Sequence, residues 1–246
     1  MSLHALPAAD DADRTGVSGP LSPLDGRYRP AVEPLGRYLS EAGLNRARIH
    51  VEVEWLLHLT DRRMFGTSPV DAEKAAALRG IVTGFSEEDV AELAELEATT
   101  RHDVKAVEYF VRRRLDALGL GGIAELTHFA ATSEDVNNLA YALTVKQAVE
   151  EVWRPALLRV LDSLRTLAIQ HRGEAMLART HGQPATPTTM GKELAVFVHR
   201  IQRQLTALDA QQYLGKFNGA TGTYAAHLSA GPDVDWPSVS EDLVTS

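Results

Sequence analysis

The stretch LAYALTVKQAVEEVWRPALLRVLDSLRTL, residues 139–167, sets Leu139, Leu143, Val149, Val152, Ala156, Val160, Leu164 and Leu167 on one face at helical spacing. At 3.6 residues per turn this stripe runs for about eight turns. Pro155 lies inside it and predicts a kink or a short break. A second stripe, Leu194, Phe197, Val198, Ile201, Leu205 and Leu208, follows between Met190 and about Tyr213. Two long stripes joined by one connection indicate an extended helix bundle. No run shows convincing strand alternation apart from short ambiguous pieces, so the fold class is all-α.

Working back toward the N-terminus, helical spacing recurs from Ser40 to Leu59, Asp71 to Val82 and Val90 to Leu96, the last capped by Ser86 with Glu87, Glu88 and Asp89 in its first turn. Leu118-Gly119-Leu120-Gly121-Gly122 is the strongest punctuation. It divides the chain into a small helical N-terminal domain, 21–119, and the first part of a bundle domain, 120–246. Residues 1–20, rich in Ala, Asp, Gly and Pro, read as a disordered tail without the apolar core of a signal peptide. The chain has 246 residues, a net charge of -8 and no cysteine. Disulfide and thiolate chemistry are therefore excluded, and the acidic balance disfavours nucleic acid or a membrane surface as partner. No apolar run approaches membrane-spanning length. A cytoplasmic protein is the expectation.

Several polar stretches interrupt the helices. RTHGQPATPTT (residues 179–189) cannot be helical, because Pro184 and Pro187 remove amide donors and Gly182 loosens the backbone. It presents His181 on a stiff loop beside a helix mouth capped by Thr188 or Thr189, a setting suited to proton transfer near neutral pH. Taken alone, it is more often a histidine satisfied in a turn. Arg101, His102 and Asp103 open another helix, with an imidazole, a carboxylate and free amides near an anion's reach. Thr132 and Ser133 cap the helix carrying Glu134 and Asp135. Arg27 and Tyr28 place a guanidinium beside a phenol, suited to phosphate or carboxylate, or simply to a surface turn. LGKFNGATGTY (residues 214–224) is a polar glycine-rich loop lacking the ending of a nucleotide P-loop. No His, Asp or Glu set has metal-ligand spacing.

SPLDGRY (22–28), RHDVKAVEY (101–109), HFAATSEDVNN (128–138), RTHGQPATP (179–187) and LGKFNGA (214–220) together resemble the adenylosuccinate lyases of the fumarase/aspartase superfamily. The resemblance implies β-elimination of fumarate from adenylosuccinate, giving AMP, and from the succinylated carboxamide ribotide of purine biosynthesis. It implies His181 as general acid, Arg27 and Tyr28 at the nucleotide's phosphate end, Arg101, His102 and Asp103 lining the site, and Thr132 and Ser133 on a succinyl carboxylate. His128 is a secondary candidate, affecting binding before chemistry. No cofactor and no metal are implied, whereas a homotetrameric active form with sites between subunits is.

Two departures stand out. Arg101 replaces an asparagine of many relatives, and the family's Ser-Ser-x-Met-Pro-x-Lys-x-Asn loop with its catalytic serine is absent from the 246 residues. The resemblance thus implies an N-terminal portion, incomplete and inactive alone, whose unpartnered apolar stripes promote association. A superfamily lyase for another substrate, or a non-catalytic helical scaffold, are the alternative readings.

Overall fold

A computed structural model describes residues 22–246, so the expected tail over 1–20 lies outside the described residues. The architecture is all-α with one small hairpin. Helices α1 (Arg29–Leu39), α2 (Glu41–Asp61), α3 (Ala72–Thr83), α4 (Glu87–Thr100) and α5 (Asp103–Ala117) precede α6 (Ser133–Gln147) and α7 (Arg154–Gln170). An antiparallel pair, β1 (Ala175–Thr180) and β2 (Gln183–Thr189), then leads into α8 (Met190–Asp209), and α9 (Ala225–Ala230) and α10 (Trp236–Thr245) follow.

Helix starts lie where the sequence supplies side-chain acceptors. Ser40 accepts from the Gly43 N–H at 3.1 Å, Asp71 from Lys74 at 2.9 Å, and Thr189 from Lys192 at 3.1 Å. Ser86 and Asp89 form a reciprocal capping box at α4. Helix α2 is the centre of the molecule, packed against α1, α3, α5, α6 and α10. Ile49, Val51, Val53, Trp55, Leu56, Leu57 and Leu59 are buried over most of its circumference, while His50, Glu54 and His58 on the remaining side are half-buried. Their core continues into Phe110 of α5, Val136 of α6, Phe217 and Trp236, so one apolar cluster includes residues from both sides of Leu118–Gly122.

The stripe through residues 139–167 stays helical, and Pro155 produces a wide turn instead of a break. The preceding segment Ala148–Trp153 is π-helical, and Pro155 lies in the first turn of α7. A proline at 155 cannot donate to the Glu151 carbonyl and its ring crowds that group, so the ladder widens ahead of it. Helices α7 and α8 run antiparallel, held at one end by the paired bonds of Arg154 to Asp209, both 3.0 Å. At the other end Gly191 permits close contact: a Cβ there would stand 2.3 Å from the Ala168 carbonyl oxygen. Outside this contact the pair leaves Leu158, Val160, Leu167, Ile169 and Phe197 exposed.

Candidate active site

Two helix N-termini meet at the first group of candidate residues. Helix α4 ends at Arg101, and His102 caps α5 by accepting the Lys105 N–H on Nδ1 at 3.2 Å. Nε2 is thereby left to carry the ring proton, and it lies 3.4 Å from the Ser133 hydroxyl at the start of α6. Thr132 caps α6, its own N–H held by Asp135 at 2.9 Å. Hydroxyl, imidazole and the free amides of two helices therefore share one mouth, a polarity that favours an anion.

Asp103 is fixed behind His102. Its Oδ2 receives Arg48 Nη2 at 2.7 Å, while Oδ1 is 3.6 Å from His102 Nδ1. Partial burial opposes the charge, but the Val104 N–H and Arg48 outweigh it and hold the carboxyl below the ordinary aspartate value. Arg48 is buried and also donates to Asn45 and Asn137, each at 2.9 Å, so a single guanidinium ties α2 to α5 and α6. Sequence reading passes over Arg48, because a charged residue in an amphipathic helix reads as its solvent face.

Glu52, one turn further along α2, is the second omission. Its buried carboxylate takes His128 Nδ1–H at 2.6 Å on one oxygen and the His128 backbone N–H at 2.9 Å on the other. Burial alone would lower the His128 pKa, but the bond to Glu52 and its charge raise it above the usual histidine value. Glu108 and Lys105, themselves paired at 2.6 Å, complete this charged layer.

The other candidates stand on other elements, the β1–β2 hairpin and the turn before α1. The proline-containing loop forms the β1–β2 hairpin, whose two-residue turn is His181-Gly182 with φ of 51° and 77°. Positive φ at both central positions is the type I′ geometry matching strand twist. The His181 side chain is exposed and hydrogen-bonds to none of the other candidates. Arg27 and Tyr28 occupy the turn before α1, with the guanidinium carbon 5.5 Å from the ring centroid. Arg101, His128 and His181 all hold left-handed backbone, φ 55°, 58° and 51°. For non-glycine residues this costs on the order of 1–2 kcal/mol each and clusters at functional sites.

The glycine-rich loop 214–224 is anchored rather than free. Phe217 is buried against Trp55, and Asn138 of α6 accepts the Lys216 N–H at 2.8 Å while donating to its carbonyl at 3.0 Å. A cavity of about 210 Å³ lined by Leu139, Leu143, Leu243 and Val244 includes none of the candidates. Among the described residues no group of three or more His, Asp or Glu side chains stands in metal-binding geometry, and no helix is long and apolar enough to cross a membrane.

Comparison with known proteins gives a consistent result. A family model described as a lyase matches residues 26–241. Adenylosuccinate lyases of Haemophilus influenzae and Escherichia coli are each 46% identical over 228 residues, 92% of this chain and 50% of theirs. That of Legionella pneumophila is 43% identical over the same share. The chain thus spans about half the length of the curated relatives it matches. Among solved structures, a fumarate lyase from a Mesorhizobium species superposes with a TM-score of 0.68 at 21% identity, covering 87% of this chain and 47% of the other. A β-carboxy-cis,cis-muconate cycloisomerase from Acinetobacter calcoaceticus gives 0.67 at 19% identity, with 87% and 48% covered. These structures share the fold.

Proposed function

The chain belongs to the lyase family matched over residues 26–241, and on that footing we propose that it carries one part of a site that eliminates fumarate from adenylosuccinate. The reaction breaks the bond between the succinyl carbon and the purine amino nitrogen. A base removes a proton from the adjacent carbon, the electron pair forms the fumarate double bond, and an acid protonates the departing nitrogen to leave AMP. The succinylated carboxamide ribotide is cleaved in the same way, as purine biosynthesis requires.

The observation that carries this reading is the meeting of α5 and α6 at His102 and Ser133, 3.4 Å apart. An anion-favouring mouth with one hydroxyl and one imidazole donor suits a substrate carboxylate. Thr132 and Ser133 hold that group, with Arg101, His102 and Asp103 around it. His181, presented on a rigid turn with its ring free, is the acid. Arg27 and Tyr28 take the phosphate end of the nucleotide. His181 stands on the β1–β2 hairpin and the mouth on α5 and α6, which supports a working site assembled from several copies, as in a homotetramer, with the base from a segment other than those named. Such an enzyme of nucleotide synthesis works in the cytoplasm.

Titrating fumarate into the chain, followed by NMR at His102 and Ser133, tests the mouth. Both signals are expected to move together, and Ser133→Ala to weaken binding about tenfold, the worth of a hydrogen bond to a charged group. Saturating fumarate that moves neither signal contradicts the assignment.

A further inference from the structure

Asp135 is placed in the first turn of α6, where an acidic residue needs no further explanation than the helix dipole and the Thr132 cap. Its surroundings exceed that role. The side chain is fully buried. Oδ2 accepts the Thr132 N–H at 2.9 Å and the Gly219 N–H at 3.0 Å. Oδ1 accepts Lys216 Nζ at 2.7 Å and the Asn218 N–H at 3.0 Å. Every donor beyond the cap comes from the glycine-rich loop, more than eighty residues along the chain. One helical turn later, Asn138 grips the same loop through both backbone groups of Lys216.

Burial makes this arrangement exacting. An aspartate carboxylate is tolerated away from water only when its lone pairs are saturated by well-placed donors. Here saturation needs the α6 cap and the loop in one relative position, because neither segment alone supplies the donors. Lys216 is about one-third exposed, and its ammonium spends one N–H on Asp135 and another on the Gly219 carbonyl at 2.9 Å. An ammonium has three donors, so one remains. A single carboxylate separates that cation from the Thr132 amide.

Resting on the substrate reading above, we propose that Asp135 is a positioning residue that locks the Lys216–Gly222 loop to the Thr132–Ser133 mouth and so holds the Lys216 ammonium there as the cation for a substrate carboxylate. The loop then forms one wall of the dicarboxylate pocket, and its glycines let the backbone approach the ligand.

Amide hydrogen exchange and fumarate titration on the 246-residue chain separate the parts of this proposal. In Asp135→Asn, which keeps an acceptor but loses the charge, the Asn218 and Gly219 amides are expected to exchange at least tenfold faster and the Ser133 resonance to shift. Unchanged exchange and an unmoved Ser133 signal would overturn the coupling. Lys216→Met spares the backbone bonds to Asp135, serves where the first variant fails to fold, and is expected to weaken fumarate about tenfold with exchange at Asn218 and Gly219 within twofold of wild type. Wild-type affinity in Lys216→Met overturns the cation's role. If wild type binds no fumarate while Asp135→Asn still frees the loop, the lyase reading and the cation's role both fall and the coupling stands.

Discussion

Glu52 and His128 form a pair whose carboxylate is buried, with Nδ1 2.6 Å from Oε1 and the His128 backbone N–H on the second oxygen. The pair fastens the left-handed residue at 128 to the central helix, close to the start of α6. Its charge state also gives the fold a pH dependence of known sign.

The His128 pKa is raised in the fold, since Glu52 overcomes the opposing effect of burial. Stability from this source is fully present below the ordinary histidine value of about 6.5 and is lost as pH rises through the raised value. The melting temperature is therefore expected to fall as pH rises above about 6.5, and Glu52→Gln to flatten that limb. Equal alkaline limbs in both proteins would contradict the assignment.

His227 works in the opposite direction. It is fully buried among the rings of Trp55, Phe217, Tyr224 and Trp236, 6.2, 6.1, 5.6 and 5.0 Å away, and neither ring nitrogen meets a hydrogen-bond partner among the described residues. Burial pushes its pKa down, with the charge of Asp135 opposing. The unfolded chain thus takes up a proton near pH 6.5 that the fold resists, and stability is lost as pH falls below that value. His50 and His58, also lowered by burial, add to this acid limb. His227→Phe, measured by thermal melts from pH 7.5 to 5, is expected to shrink the acid loss at little cost at neutral pH. A steeper loss in the variant would exclude His227 as its source.

Arg48 joins three helices through Asn45, Asn137 and Asp103. Arg48→Met keeps the buried stem but leaves those acceptors unpaired. Removing a buried charged donor of this kind costs on the order of 2–4 kcal/mol, tempered by the partial exposure of Asp103. Urea denaturation should register that loss as a lower midpoint with an unchanged slope. A change below about 0.5 kcal/mol would mean that the network does not hold the helices together.

The hairpin turn separates backbone from chemistry at one residue. Asparagine tolerates the left-handed conformation of His181 better than histidine does, so His181→Asn is expected to leave the melting temperature unchanged or slightly raised. Gly182→Val, at φ 77°, forces a branched side chain where only glycine is comfortable, and is expected to raise protease sensitivity between Thr180 and Gln183. A hairpin indifferent to Gly182→Val would argue against the type I′ turn.

The helices are legible in the sequence because caps and apolar spacing agree: Ser40, Asp71, Ser86, Thr132 and Thr189 each begin the helix that the pattern predicts. The hairpin is not, since most of its residues are exposed and no apolar alternation develops. Pro184 and Pro187 further disguise β2, and a two-stranded ribbon accommodates them because each strand has an unpaired edge. The His181-Gly182 dipeptide is its one local signal. Arg48, Glu52 and Asp135 are hidden for another reason: charged residues in helices read as solvent face or dipole complement, and only the tertiary packing turns them inward. The approach of His102 to Ser133, 31 residues apart, depends on that same packing.

The proposed function has this chain supply the acid and the carboxylate mouth of an adenylosuccinate-cleaving site. The most direct measurement mixes it with the separately produced C-terminal half of the Escherichia coli relative and follows loss of adenylosuccinate absorbance. Elimination in the mixture, abolished by His181→Asn in this chain although the halves still associate, is the predicted result. An associated mixture that is inert, or one whose rate survives His181→Asn, would contradict the account.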